Sequence, residues 1–247
     1  TGAVTRTRCG DGSYSRDETI SCQEDSDNVT VQWCIMSEAL TNENHSYGSL
    51  IRGCRGARYS YHHNLYAHNR NRNPRPGNYD EQNPHEKDPN GLLLDFRNNV
   101  IYNWGGSHAG YNADKKSVTR LNYVDNYLVP GMDSSPRGKA YQEGSTYNLG
   151  YFAGNYYEHC RPNDPWSLVD FDGWAARQIS MYKQKEPFET GLVTAQEAAD
   201  SYRAVLESGG ASLPRRDAVD LRIVEDVLNG TGRIIKSPSE VGGWPEL

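Results

Sequence analysis

A short pattern recurs five times between residues 29 and 157, and it restricts the folds open to this chain of 247 residues. The recurring stretches are VTVQWCIM (29–36), YSYHHNLY (59–66), DFRNNVIY (95–102), LNYVDNYL (121–128) and GYFAGNYY (150–157). In the first four repeats two bulky residues stand two positions apart, and three positions later comes a cysteine or an asparagine. The members of this column are Cys34, Asn64, Asn99, Asn126 and Asn155, separated by 30, 35, 27 and 29 residues.

Alternating bulky residues in short runs bounded by Gly, Asn and Asp are typical of β-strands. The intervals leave no room for helices of ten or more residues, so the period of about 30 residues favours a β-solenoid, in which each coil stacks on the next. Asparagine amides repeated at one turn would then hydrogen-bond from coil to coil as a ladder. The alternative is a β-sandwich with ordinary Asn turns.

The last third of the chain predicts two helices. In TAQEAADSYRAVLESGG, Thr194 and Glu197 form a capping-box pattern, and Gly209 ends the helix. In RDAVDLRIVEDVLNGTG, Asp217 stands at the start and Gly230 follows the end. We therefore expect an all-β fold with C-terminal helices packed on it, as a single domain overall. Residues 1–160 would form the solenoid core, and residues 161–247 would form a loop and helical extension.

Charge, hydropathy and cysteine content exclude several classes of protein. The formal net charge of −6 argues against general nucleic-acid binding, and no apolar run approaches the length of a membrane span. The five cysteines contain no C-x-x-C pair, so a zinc site is not expected. Most of the thiols should be buried, and one or two disulfides are the alternative. We expect a monomer without nucleic-acid or membrane partners.

The segment HNRNRNPRPG (68–77) places arginines at 70, 72 and 75 in this otherwise acidic chain. Pro74 and Pro76 restrict the backbone around those arginines, because proline limits both its own φ and its neighbour's conformation. Guanidinium groups held in a fixed shape suit planar anions, either phosphate or carboxylate.

Three stretches, YSYHHNLYAHNRNRNPR, DETISCQEDSDNVTVQWCIMSEAL and RNNVIYNWG, resemble the pectate lyases of polysaccharide lyase family 1. The closing SLPRRDAVDLRIVEDVLNGTGRIIKSPSEVGGWPEL resembles the tail of a bacterial branch of that family. The resemblance implies a right-handed single-stranded parallel β-helix, with Ca²⁺ as cofactor. It also implies cleavage of polygalacturonate by β-elimination to 4,5-unsaturated galacturonides, in a secreted, periplasmic or cell-surface protein. Members carry several coils and a cap before the point at which Thr1 aligns.

The same resemblance assigns roles to individual residues. The catalytic arginine falls on Arg72. Substrate binding falls on Arg75, His45, Tyr47 and His63, and calcium binding on Asp17, Glu18 and Asp11. The chain departs from the family at Gly77, where a further arginine is usual, and at Ser21, where a calcium carboxylate is usual. No lysine stands near Tyr47, where the family has one that binds substrate.

Other interpretations of these residues stay open. Asp17 and Glu18 also suit a solvated acidic turn, and Arg72 suits simple carboxylate binding. A hydrolase on the same fold would need paired carboxylates about 5–10 Å apart, which RDE at 16–18 or EDSD at 24–27 would have to supply. The chain also suits a non-catalytic fragment that binds polysaccharide. Formation of an unsaturated product separates the lyase from the other two classes.

Overall fold

The computed structural model describes residues 18–23, 26–41, 45–78 and 84–243, and within these ranges the chain forms sixteen β-strands. The strands are β1 (Glu18–Cys22), β2 (Val29–Gln32), β3 (Ile35–Ser37), β4 (Tyr47–Arg52), β5 (Ala57–His62), β6 (Leu65–Ala67), β7 (Arg75–Gly77), β8 (Leu92–Arg97), β9 (Val100–Tyr102), β10 (Gly106–Asn112), β11 (Thr119–Val124), β12 (Tyr127–Val129), β13 (Ser134–Glu143), β14 (Leu149–Ala153), β15 (Tyr156–Tyr157) and β16 (Val169–Asp170).

The strands stack in three parallel faces. The first face is the sheet β2-β5-β8-β11-β14, and the second is β3-β6-β9-β12-β15. The third face consists of β1-β4-β7 and β10-β13-β16, which meet where the Tyr111 amide donates to the Pro74 carbonyl at 3.0 Å. This arrangement is a parallel β-solenoid of about five turns, so the predicted fold class is confirmed. Strand β16 continues the third face beyond residue 160.

Each recurring stretch holds two strands, which a two-residue turn separates. The first residue of every such turn has a positive φ, the left-handed region that bends the chain sharply. These residues are Trp33 (56°), His63 (54°), Asn98 (54°), Asp125 (50°) and Gly154 (69°). The turn moves the chain from the first face to the second, so the repeat marks a corner of the solenoid.

The second residue of each turn belongs to the asparagine column, which forms the predicted ladder. The backbone amides of Asn64, Asn99 and Asn126 each donate to the side-chain oxygen of the next asparagine, at 3.0, 3.0 and 2.9 Å. The Cys34 amide donates to the Asn64 side-chain oxygen at 3.0 Å, which puts Cys34 at the head of the row. The ladder satisfies polar groups that would otherwise be buried without partners.

The interior is filled by the bulky alternating residues of the repeat. Phe96 stacks on Tyr123 with ring centroids 5.3 Å apart, and Tyr123 stacks on Phe152 at 4.9 Å. Leu94 and Leu121 lie beside them and are almost fully buried. Because the coils are in register, residues of the same type occupy the same position in successive coils. Their stacked apolar side chains exclude water along the axis of the solenoid.

The two longest helices, α3 (Ala198–Ser208) and α4 (Ala218–Asn229), pack against the second face. Helix α1 (Pro84–Lys87) is a single turn, followed along the chain by α2 (Ala176–Tyr182), α3 and α4. Val205 of α3 and Ile223 of α4 are buried in one cluster with Val100 of the solenoid. Asp217 caps α4 as predicted, since its carboxylate accepts from the Asp220 amide at 2.8 Å.

The capping box predicted at Thr194 is wrong. Helix α3 has Glu197 as its N-cap residue. The preceding chain is tied to the solenoid instead, because the Asn98 side chain donates to the Gln196 carbonyl at 2.6 Å. Tertiary hydrogen bonds therefore hold residue 196 outside the helix.

None of the described helices is both long and apolar enough to span a membrane. Among the described cysteines, Cys22, Cys34, Cys54 and Cys160 are free thiols. Cys34 and Cys160 are exposed, which corrects the expectation that most cysteines are buried.

Candidate functional site

The candidate site lies on the third face and is built around Arg72. This arginine stands in the turn before β7 with φ 59°, a backbone conformation uncommon for a residue with a side chain. Its side chain is only 9% exposed. The neighbouring strands β1, β4 and β10 supply its contacts, so three different coils meet at this arginine.

Three groups surround the Arg72 guanidinium. The Glu18 carboxylate forms an ion pair with Nη1, and the ring of Tyr47 lies beneath the guanidinium carbon at 3.7 Å from its centroid. Nε donates to the Tyr111 hydroxyl at 3.3 Å. A carboxylate and an aromatic face both stabilise positive charge, so this environment favours the charged arginine.

Two further arginines lie next to this group. Arg75 contacts Asp114, with Nη2 at 3.1 Å from Oδ1, and its guanidinium carbon lies 5.4 Å from the centroid of the Tyr111 ring. Arg52 contacts the other oxygen of the same carboxylate at 2.6 Å. Tyr111 therefore touches Arg72 through its hydroxyl and Arg75 through its ring. The face carries three arginines in adjoining positions, which suits an anionic ligand.

The structure brings together most of the described residues that the sequence predicts for the site. Arg72, Tyr47 and Glu18 are in direct contact, and the ring of His45 lies 4.9 Å from the ring of Tyr47. Arg75 joins them through Tyr111. Asp17 and Asp11 lie outside the described residues.

His63 belongs to a different group of side chains. It lies in the turn between β5 and β6, stacks on Trp33 at 4.5 Å and contacts the Gln196 side chain at 3.0 Å. Its Nδ1 is 2.9 Å from Nδ1 of His62. Burial lowers the pKa of both histidines, to about 4 for His62. These contacts join the chain before α3 to the corner of the solenoid, and substrate binding by His63 stays a prediction.

Calcium binding requires several hard oxygen ligands, usually 6–8 in all. Glu18 supplies one carboxylate at the site, and the Ser21 hydroxyl donates to its second oxygen at 3.3 Å. No cluster of three His, Cys, Asp or Glu side chains suited to a metal occurs among residues 18–23, 26–41, 45–78 and 84–243. The described residues thus contribute a suitable ligand type at the predicted place and do not complete a calcium site by themselves.

Sequence reasoning missed Arg52, Tyr111 and Asp114. Tyr111 follows Arg72 by 39 residues, and Asp114 follows Arg75 by the same 39 residues. This equal offset is the one signal in the sequence for Tyr111 and Asp114, since residues one coil apart stack in a solenoid. The intervals between residues of the asparagine column vary and are all shorter than 39 residues, so this column does not predict the offset on the third face.

A buried glutamate supports the turn that carries Asp114. Glu143 accepts hydrogen bonds from the Ser145 amide at 2.8 Å and from the Asn148 and Asn112 side chains at 2.9 and 3.3 Å. The Asn112 side-chain oxygen in turn accepts from the Asp114 amide at 2.9 Å. Burial raises the pKa of Glu143 to about 8, so the carboxyl is largely neutral at pH 7.

We expect Glu143→Gln to increase stability at alkaline pH. A carboxyl whose pKa is raised on folding contributes stability that is complete below its unfolded pKa, near 4.5, and is lost as the pH rises through about 8. The amide keeps the acceptor oxygen and never ionises, so the variant should melt several degrees higher than the parent at pH 9 and within about two degrees of it at pH 5. Thermal melts across this range test the prediction, with exposed Glu207→Gln as the control. Parallel curves for parent and variant would contradict it.

No protein-family model matches the chain. The chain is 30% identical over 240 residues to a probable pectate lyase C of Aspergillus oryzae and 33% identical over 243 residues to one of Emericella nidulans. A third relative, from Aspergillus fumigatus, is 30% identical over 236 residues. These matches cover 95%, 95% and 94% of this chain and 52%, 50% and 50% of the relatives.

These relatives support the resemblance to pectate lyases. They are fungal, and they give no support to the narrower resemblance to a bacterial branch. The chain spans about half the length of the curated relatives it matches. Over nearly all of its own length, this chain is similar to a stretch that makes up about half of each of these fungal proteins, which are called probable pectate lyase C.

Proposed function

We propose that the protein is a calcium-dependent pectate lyase that cleaves the α-1,4 bonds of polygalacturonate by β-elimination. The observation that carries this proposal is the cluster of three arginines on one face of a β-solenoid, where Arg72 and Arg75 contact Tyr111 and Arg52 contacts Asp114. The similarity to pectate lyase C proteins supports the same substrate, although it covers half of their length. Because the substrate is an extended extracellular polymer, we place the protein outside the cytoplasm.

The chemistry requires removal of a weakly acidic proton. The C5 proton of galacturonate lies beside a carboxylate, and guanidinium groups bound to that carboxylate stabilise the negative charge that develops when the proton leaves. The electron pair of the C5–H bond then forms the C4–C5 double bond, and the C4–O bond to the neighbouring sugar breaks. The departing oxygen takes a proton from water, and the new chain end is a 4,5-unsaturated galacturonide.

Arg72 is the residue we assign to the proton-transfer step. Two roles are open for an arginine: it acts as a transiently neutral base, or it stays charged and orients a hydroxide that takes the C5 proton. The ion pair with Glu18 and the underlying Tyr47 ring favour the charged form, which supports the second role. Both roles imply an alkaline optimum. Arg75 binds substrate carboxylate, and Tyr47 and His45 line the approach.

Glu18 and Asp17 are the residues we assign to calcium, with Asp11 as a further candidate. Calcium bound to the substrate carboxylate would withdraw charge from it and make the C5 proton more acidic. Glu18 lies at the site in contact with Arg72, and Asp17 is its neighbour in the chain.

We expect Asp17→Ala to weaken calcium binding by about tenfold or more, because calcium affinity depends on the number of charged ligands. Isothermal titration with calcium alone measures the change, and thermal melting in the absence of calcium checks that the fold is kept. Asp200→Ala, on the exposed side of α3, is the control and should bind calcium as the parent does. An unchanged titration for Asp17→Ala would remove this residue from the calcium site.

The proposed function is tested by incubating the protein with polygalacturonate, with and without a chelator. A lyase produces the ultraviolet absorbance of the unsaturated sugar, and the chelator abolishes it. Release of reducing ends without this absorbance would show a hydrolase instead. Binding of the polymer with neither product, under alkaline conditions and excess calcium, would show a non-catalytic binding protein.

A further inference from the structure

We propose that Arg52 and Arg75, held by Asp114, form a second carboxylate-binding subsite beside Arg72. Its ligand is the carboxylate of a neighbouring uronate in the same polymer. The proposal rests on the proposed function for the identity of the polymer. It assigns a ligand-binding role to Arg52, which stands in a different coil from Arg72 and Arg75.

Arg52 reaches this position because of Gly77. The two residues are paired in the register of β4 and β7, so their side chains would project from the same face. A Cβ added to Gly77 would lie 2.8 Å from Nη1 of Arg52 and 3.3 Å from Oδ2 of Asp114. The missing side chain at 77 therefore leaves the space through which Arg52 crosses one coil to contact Asp114 in the coil beyond.

The group formed by Arg52, Arg75 and Asp114 has more positive than negative charge, which suits an anionic ligand. Two guanidinium groups share one carboxylate among the described residues, with Arg52 and Arg75 on its two oxygens. The side chains of both arginines are 17% exposed and that of Asp114 is 31% exposed, so a ligand can reach the group from solvent. Within the described part of the chain, Nε of Arg75 is buried without a hydrogen-bond partner. A carboxylate arriving here meets positive charge already held in shape.

The position of this group beside Arg72 identifies the ligand. Tyr111 separates the two, with its hydroxyl on Arg72 and its ring beside Arg75. Polygalacturonate carries one carboxylate on every sugar, so a chain bound at Arg72 presents another carboxylate nearby. A methyl ester removes the charge at that sugar, and the subsite therefore selects unesterified polymer.

The test compares Arg52→Gln with the parent. We expect the KM for polygalacturonate to rise about tenfold with kcat changed by less than about threefold, because one charge-assisted contact to bound substrate is lost. The Kd for an oligogalacturonate, measured by calorimetry in chelator, should rise by a similar factor. Affinity for the fully methyl-esterified oligomer should stay the same. Arg58→Gln, on the first face, is the matched control and should behave as the parent does.

A second pair of variants separates binding from folding. Gly77→Ala should reproduce the loss, since its Cβ would displace Arg52. Arg52→Lys keeps the charge without the planar fork, and we expect it to raise KM less than Arg52→Gln does. Should Arg52→Gln fail to fold, a raised KM in Arg52→Lys supports the subsite and an unchanged KM overturns it. A lower melting temperature with an unchanged Kd would show that Arg52 is structural, which also overturns the proposal.

The outcomes also distinguish this proposal from the proposed function. If the parent yields no unsaturated product, yet Arg52→Gln binds the acidic oligomer more weakly, the lyase assignment fails and the subsite stands. If the parent is an active lyase and Arg52→Gln matches it in KM and Kd, the subsite is wrong and the lyase stands. Equal loss of affinity for acidic and esterified oligomers would show that Arg52 does not recognise the carboxylate, which overturns the subsite.

Discussion

Replacing Arg72 by lysine is expected to lower the rate of unsaturated-product formation by a factor of about 10²–10⁴, the usual cost of losing a positioned acid–base group. Lysine keeps the charge but not the planar fork that contacts Glu18 and Tyr111 at once. It therefore neither orients hydroxide nor holds the carboxylate in the same geometry. The rate at saturating polygalacturonate measures the effect.

The control for this variant is Arg70→Lys. Arg70 stands two residues earlier in the same arginine-rich segment, and its side chain packs beside Gly105. We expect its rate to stay within about twofold of the parent, because Lys keeps the positive charge at this position and Arg70 has no assigned part in proton transfer. If folded Arg72→Lys bound substrate and turned it over as fast as the parent, Arg72 would have no part in proton transfer.

The second large effect is expected in the asparagine ladder. Asn99 is fully buried, its side-chain oxygen accepts from the Asn64 amide at 3.0 Å, and its side-chain nitrogen donates to the Tyr61 carbonyl at 2.9 Å. Asn99→Ala leaves those groups buried without partners, so we expect the free energy of unfolding to fall by about 2–4 kcal/mol. Urea unfolding, with exposed Asn163→Ala as the control, measures this change.

A charged variant at the same position tests the mechanism of the ladder. Asn99→Asp keeps an acceptor oxygen and loses the two N–H donors, one of which reaches the Tyr61 carbonyl and the other the Asn126 side-chain oxygen. It should therefore be less stable than the parent at neutral pH, where a buried carboxylate is also costly. A ladder variant that unfolds at the same urea concentration as the parent would show that stacking of the aromatic core alone holds the corner.

The sequence was sufficient to predict the features that repeat once per coil and those whose residues lie close together along the chain. The asparagine column and the inward-facing Phe96 and Tyr123 follow from a local pattern, since each coil needs the same residue at the same corner. The start of α4 at Asp217 is equally local, because a cap involves residues three apart. The arginine-rich segment around Arg72 was recognisable because its arginines and prolines lie within a few residues of one another in the chain.

The tertiary structure alone decided what surrounds Arg72. The strands of the third face follow corners of different length. They range from two residues in β16 to ten in β13, so no fixed spacing revealed their register. Whether a helix began at Thr194 was also decided by a distant partner, the Asn98 side chain. The sequence by itself therefore determined the solenoid and its ladder, and it singled out the arginine-rich segment that contains Arg72. The grouping of Arg52, Tyr111 and Asp114 beside it was decided only by the stacking of coils, because contacts across coils depend on loop lengths that the local pattern does not encode.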